Sequence, residues 1–490
     1  MSGSKSFGLG PAVLVTAAFI GPGTVMAASS AGAEYGYVLL WAIAFSVFAT
    51  IVLQEMAARL GIASGGGLSQ AIKTSITNRL LRFLTLALVL LAIFVGNSAY
   101  QTGNILGAAA GVLSMGSEDP EGAEVADVAA NLAANQSSLE ETSDENHWNQ
   151  DVIVFLIGLT ALVLIWIGRF DVLQLVLTFL VGLMSILFII AAVLSGPDWN
   201  RVALGFVPRV PSGSDWIVIG LIGTTVVPYN LFLHASAAAQ RWGDDQTADP
   251  SGAATPSKSD DSTAKAILSS RLDTVVSVLI GGLITSSILI TACAAFHGDT
   301  STDLKSVKDV ALQLEPALGS WSKSLFALGL LAAGLTSAIT APIAAGYAAA
   351  GCFGWPGRLS DWRLKVTASL VVICGIYCAV KFGSSPKETI ILAQVANGLL
   401  LPIIAVGLLL MANNSALMKG FCNRRVSNVF AVVVILIVAL IAINQFRKIT
   451  KSFSSTMAPP VVLDTFCWED RNLDSSANQV LATPTRIQRR

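Results

Sequence analysis

Apolar residues run in eleven long stretches, at 10–32, 37–58, 80–112, 152–168, 172–195, 216–240, 272–296, 322–351, 365–383, 387–411 and 426–446. About 20 apolar residues is the length an α-helix needs to cross a bilayer. The pattern therefore predicts an all-α, polytopic membrane protein of eleven spans, numbered one to eleven in chain order. An odd number puts the two termini on opposite sides, and the Lys and Arg of the short loops say which side is which. Lys73, Arg79 and Arg82 in 61–82, and Lys419, Arg424 and Arg425 in 412–425, have no acid among them. Both loops share a side with the N-terminus, as does 352–365 with Arg358, Arg363 and Lys365. That side is expected to be cytoplasmic, in a plasma (inner) membrane, with the C-terminus outside. Arg447, Lys448 and Lys451, just beyond span eleven, run against this placement of the tail.

Two connections are longer and polar. The segment 113–150 carries nine acids and no Lys or Arg, and 242–263 is rich in Asp, Ser, Pro and Thr. Such segments bury too little apolar surface to offset the entropy of ordering. Both are expected to be flexible insertions, as is the tail 447–490, while 1–9 forms a short cytoplasmic N-terminus. The acidic loop reads as a solvated spacer or as a device that gathers cations near an outer vestibule.

Composition sharpens the class. Only 12% of the 490 residues are charged and 53% are hydrophobic, against about 25% charged in soluble domains. A net charge of −1 gives no reason to expect nucleic acid as a partner. Cys374 and Cys378 share a helix face with no histidine near them, so they read as buried apolar thiols. The first apolar run has no basic flank or cleavage site and reads as a retained helix. No nucleophile–base set, phosphate loop or metal-activated water site stands out, so neither an enzyme nor a cofactor is expected. Nothing implies an oligomer.

Spans one and six are interrupted. Gly21-Pro22-Gly23 sits within the first, and Val227-Pro228-Tyr229 within the sixth. Proline removes a backbone donor and glycine permits unwound geometry. A carbonyl left bare in lipid costs several kcal/mol, so such an interruption must face protein or a water-filled cavity. Span six opens the second group of five spans. Breaks at matching positions in two halves mark an inverted-repeat transporter with a midplane site, or are two ordinary proline kinks.

The residues carry a specific resemblance. Gly10-Pro11, Gly21-Pro22-Gly23-Thr24 and, six residues on, Ala31-Gly32-Ala33-Glu34-Tyr35-Gly36-Tyr37 are similar to the first helix of the natural resistance-associated macrophage protein (Nramp) family. Leu53-Gln54 and Ala57-Ala58-Arg59-Leu60-Gly61 continue the match in span two, and Gly223 to His234 resembles the family's sixth helix. Phe296-His297-Gly298, Gly329 to Leu335, and Gln394-Val395 with Pro402 fit helices seven, eight and ten. The resemblance implies the leucine-transporter-like fold: two inverted five-helix repeats, here 10–195 and 216–411, plus an eleventh helix, 426–446, working by alternating access. It also implies a transition-metal substrate, held by an Asp and an Asn of helix one, a Met of helix six and a backbone carbonyl beside it.

Those positions have changed here. The Asp falls at Gly21, the Asn at Thr24, the Met at Val227, the carbonyl-donating Ala at Thr224, and the family's first helix-six His at Tyr229. Loss of a thioether removes the bias toward softer ions. Loss of the carboxylate removes the charge that offset a dehydrated divalent ion. The family's helix-three proton relay, aligned on Gly96, falls at Leu90 and Ile93. Glu55 reads as a helix-end ion pair with Arg59, and His234 as a titrating group or a hydrogen-bonded structural histidine.

What remains is a polar, uncharged site. Thr24, Thr224, Tyr229 and Gln394 are the candidate contacts to a metal, with Gly21 and Val227 lining the same place. Asn97, Gln101 and Asn104 form a stripe on span three that is interhelical glue or pathway lining. Thr336, Ser337 and Thr340 offer hydroxyls for a monovalent cation, or are small residues for close packing. Two readings stand. The first is a divalent-cation transporter taking a hard ion such as Mg²⁺, or Mn²⁺ without discrimination, uncoupled from protons. The second keeps the scaffold for a small organic or monovalent-ion-coupled solute, or for a non-transporting sensor.

Overall fold

The computed structural model describes residues 20–116, 138–168, 171–242, 260–298, 304 and 306–456. Helix one is seen from its break onward, as Pro22–Tyr35; residues 1–19 lie outside the described part. Helices two to five are Leu40–Ser64, Arg79–Gly116, Ser138–Ile167 and Asp171–Leu194. Helix six comes in two halves, Asp215–Thr225 and Pro228–Trp242. Helices seven to ten are Asp260–Phe296, Ser322–Phe353, Trp362–Phe382 and Pro386–Ala412, and helix eleven is Arg425–Thr456. Ten stretches of the described residues are long and apolar enough to cross a membrane, helices one and two counting as one through the turn Gly36–Leu39.

The packing order has a symmetry that the chain order hides. Helix one packs on helix seven, and helix six packs on helix two. Helix five packs on helix eight, and helix ten on helix three. Helix three packs most closely of all on helix eight, and helix two also packs on helix seven. Advancing every number by five turns each pair into another pair of the set. That is the contact pattern of two five-helix repeats related by a pseudo-two-fold axis.

Polarity runs opposite to that of a water-soluble protein. The outside carries Leu91, Phe179, Tyr377 and Leu440, all more than 60% exposed, whereas Gln54, Asn97, Gln101, Asn104, Asn230, His234, Gln394 and Asn397 are buried. Lipid accepts the first set, and the second finds partners only between helices.

Three boundaries differ from the sequence reading. Residues 138–150, expected to be part of a flexible insertion, open helix four. Asp260 and Asp261, assigned to the second insertion, open helix seven. In both cases a run of acids is what a helix N-terminus favours, since its dipole presents positive charge there, and composition alone had read them as loop. The last helix also continues to Thr456, so 447–456 is helical rather than tail. The described residues from Phe446 onward belong to a separate unit. The remainder of both insertions (117–137 and 243–259) and of the tail (457–490) lies outside the described residues.

Candidate functional site

The second half of helix one starts where its sequence requires. Gly21 is the N-cap in an extended conformation (φ −111°, ψ −178°) and Pro22 occupies the first helical position, where its missing N–H costs nothing. The Gly21 carbonyl accepts from the N–H groups of Thr24 (3.1 Å) and Val25 (3.2 Å). In helix six the first half ends at Val226 (φ −95°, ψ 70°), and the second half begins on Pro228. An unbroken helix would bond the Thr224 carbonyl to the N–H of residue 228. Proline has none, so the Thr224 carbonyl is released by the covalent structure of the chain.

The two breaks meet. Thr24 Oγ1 and Thr224 Oγ1 are 2.8 Å apart in a buried hydrogen bond. Gln394 of helix ten fills the space beside Gly23, where a Cβ would overlap its amide nitrogen. Gly223 lets the helix-ten backbone come equally close, since a Cβ there would collide with the Gln394 carbonyl. Helices one, six and ten thus pinch together through absent side chains.

A second group closes around Gly21. A Cβ at that position would stand 3.1 Å from Ser337 Oγ, 3.5 Å from the Tyr100 hydroxyl and 3.8 Å from Asn104 Oδ1. Tyr100 in turn packs edge-on against Tyr229, with ring centres 5.3 Å apart and planes at 62°. Val227 and Tyr229 are buried beside the break, both 1% exposed. Thr24 and Thr224, at 1% and 0%, are buried with them. Among the buried polar atoms with no protein partner are Asn104 Nδ2, Gln101 Oε1, Gln394 Oε1 and Thr336 Oγ1. Orphaned acceptors and donors of this kind call for water or a bound species.

The polar stripe of helix three divides. Asn97 donates to the Ala341 carbonyl (3.4 Å) and Gln101 to the Ala338 carbonyl (3.1 Å), so both tie helix three to helix eight. Asn104 alone of the three faces Gly21. Tyr100 was missed by sequence reasoning, although it sits one turn before Asn104 on the same face. Leu90 and Ile93 stand elsewhere, lining a groove with Ala345, Ala349 and Phe353. On helix three, Tyr100 and Asn104 face Gly21 and Gly107 faces Pro22, and none of these three has an ordinary pKa near neutral pH.

His234 is buried, with Nδ1 2.7 Å from Gln54 Oε1 and no partner on Nε2. Glu55 is an ion-pair residue, with Oε1 accepting from Arg59 Nε (3.0 Å) and from Arg271 Nη2 of helix seven (2.7 Å). Arg59 also donates to the Phe421 carbonyl and to Asn423. Cys374 and Cys378 are half-buried rather than buried. No group of three or more His, Cys, Asp or Glu side chains placed to hold a metal occurs among the described residues.

Residues 12–447 match the sequence profile described as natural resistance-associated macrophage protein-like. The chain belongs to the Nramp family. Its relatives include the divalent metal cation transporter MntH of Deinococcus radiodurans, 27% identical over 439 residues and 88% of each chain. Another is the divalent metal cation transporter MntH 1 of Pseudomonas aeruginosa, 29% identical over 85% of this chain and 86% of that protein. Crystal structures of the Eremococcus coleocola manganese transporter superpose with a TM-score of 0.68 at 22% identity, covering 92% of this chain and 88% of that one. The nucleobase-cation-symport transporter Mhp1 superposes at 0.52 with 13% identity, over 91% of this chain and 94% of that one. Both likenesses establish the leucine-transporter-like Nramp fold, two inverted repeats and an eleventh helix. The named relatives are transporters, and this chain is a transport protein rather than an enzyme.

Proposed function

We propose that this Nramp-family protein carries a divalent metal cation across the membrane by alternating access around its two broken helices. The observation that carries the reading is the buried contact between Thr24 and Thr224, at the point where Pro228 frees the Thr224 carbonyl and helix one begins on its Gly21 cap. Relatives sharing most of the chain's length are named divalent metal cation transporters. The cation would meet the Thr24 and Thr224 hydroxyls, the Thr224 carbonyl, the Gln394 amide and the Tyr229 phenol. Gly21 and Val227 shape the space, and Asn104 and Ser337 border it.

This oxygen set is hard and neutral. Carbonyl, hydroxyl and amide oxygens suit Mg²⁺ and Mn²⁺ alike and give no advantage to thioether-loving ions. Without a carboxylate the ion keeps much of its water, because stripping a divalent cation in a neutral pocket costs more than these dipoles return. The positions facing the breaks carry no proton-titrating side chain on helix three, so entry of the ion proceeds without proton cotransport. Since both threonines are buried, each transport cycle must part the Thr24–Thr224 bond, first toward one side and then toward the other. The basic loops favour a cytoplasmic N-terminus for what we read as a plasma-membrane protein.

Purified protein in liposomes tests this. Uptake of Mg²⁺ and Mn²⁺ with similar apparent affinity, and no change in internal pH, is the expected result. Acidification that tracks ion entry would overturn the uncoupled part. Stabilisation by small organic solutes, with none by divalent ions, would overturn the choice of substrate.

A further inference from the structure

Helix three, helix eight and helix nine enclose a groove of about 630 Å³ that opens on the outside of the helix bundle, a size typical of small-molecule sites (roughly 300–1,000 Å³). It belongs to neither helix break. Its floor is Ile93, Ala345 and Ala349, and its walls are Leu91, Phe94, Val366 and Leu370. Leu91 and Leu370 are 62% and 52% exposed, so the groove faces hydrocarbon.

The mouth is built differently. Trp355 stacks on Phe353 with ring centres 4.6 Å apart. The Arg363 guanidinium lies 5.9 Å from the Trp355 ring centre and 5.8 Å from that of Trp362. Tryptophan and arginine together mark the depth where hydrocarbon gives way to headgroups. Asp361, the nearest acid in sequence, accepts from the Arg363 backbone N–H at 3.0 Å. Among the described residues Arg363 makes no ion pair within 4.0 Å. Lys365 beside it is engaged with the Trp166 carbonyl (2.7 Å), whereas Arg358 is exposed and Lys73 reaches to Gly354 at the same end.

We infer that this groove is a binding site for an anionic glycerophospholipid, one acyl chain lying along helix three and the phosphate meeting Arg363. The charge at the mouth is what selects among lipids. An apolar groove alone takes any acyl chain, but a guanidinium offered without a carboxylate partner favours a headgroup of net negative charge. The basic loops put this mouth in the cytoplasmic leaflet, where anionic lipids concentrate. A lipid there would wedge between helix three, which carries Tyr100 and Asn104, and helix nine, which packs on both helix three and the Ser337-bearing helix eight. The inference is independent of what the protein transports.

Native mass spectrometry tests it on the full chain, purified from equal mixtures of phosphatidylglycerol and phosphatidylcholine. The expected result is retention of phosphatidylglycerol in about fivefold preference, the effect of one basic side chain at such a surface. Arg363→Gln should abolish the preference, and Leu370→Trp, which fills the groove from an exposed wall, should lower retention of both lipids. Leu91→Trp on the opposite wall repeats that measurement should Leu370→Trp fold poorly. Arg201→Gln, a basic residue outside the groove, should leave the preference unchanged. Equal retention of the two lipids by the wild type, or an unaltered preference in Arg363→Gln, would overturn the proposal. So would full retention in both tryptophan variants.

Discussion

Thr24 and Thr224 stand two hundred residues apart and share a hydrogen bond of 2.8 Å, each placed by its own helix break. If both hydroxyls also contact the cation, Thr24→Val and Thr224→Val should each raise the apparent KM for Mg²⁺ by about tenfold, the value of one lost polar contact. The double variant should be much less than additive, because either change alone already ends the pairing. Ion uptake into liposomes gives both numbers.

Gly23 and Gln394 supply a sharper geometric test. A methyl at residue 23 overlaps the glutamine amide, so Gly23→Ala should cut uptake by more than tenfold and lower thermal stability. Overpacking of a tight site typically costs about 1–3 kcal/mol. Gly23→Ala combined with Gln394→Ala should recover stability but not ion affinity. Thermal melts of both proteins, with and without Mg²⁺, separate the two effects.

Val227 stands at the position where the resemblance to the family implies a thioether. Val227→Met should restore preference for Mn²⁺ over Mg²⁺, by several-fold in competition uptake, since sulfur binds the softer ion better. Gly21→Asp would add a carboxylate 3.1 Å or more from Ser337, Tyr100 and Asn104, measured from its Cβ. The extended backbone at Gly21 accepts a side chain, and the Ser337 hydroxyl must give way by a few tenths of an ångström. That variant should tighten binding of both ions and make uptake fall as pH drops through the carboxylate range.

Glu55 holds two cations of unequal burial: the Arg59 side chain is 7% exposed, that of Arg271 51%. Glu55→Gln leaves Arg59 charged and buried, and should destabilise the protein toward the lower end of about 3–5 kcal/mol, because Phe421 and Asn423 still accept from Arg59. Arg271→Gln removes the exposed partner and should cost about 1 kcal/mol or less. Melting temperatures measured side by side give the comparison.

Much of the fold was legible in the residues, for a physical reason. Spanning helices announce themselves by length and apolarity, and Pro22 and Pro228 mark the breaks because proline has a fixed chemical defect. The acidic openings of helices four and seven were not legible as helix, since composition weighs Asp260 or Glu140 the same at a helix start as in a loop. Within the site, Gln394 could be placed beside helix one by family resemblance alone. Tyr100 could not, because a tyrosine in an apolar span reads as core unless its angular position relative to Asn104 is tracked. The division of Asn97 and Gln101 from Asn104 depends on which carbonyls helix eight presents, and that is a property of two helices packed together.

The proline of helix six has a consequence for how such a site changes over generations. Side-chain contacts to a cation are hostage to the genetic code: one codon change removes a carboxylate, a thioether or an imidazole. The carbonyl oxygen of residue 224 is not, because every amino acid supplies it and only reversion of Pro228 would reclaim it for the helix. A lineage could therefore exchange the side chains around such a junction and never pass through a form with no oxygen to offer. What drifts is selectivity; the capacity to receive a cation persists in the main chain.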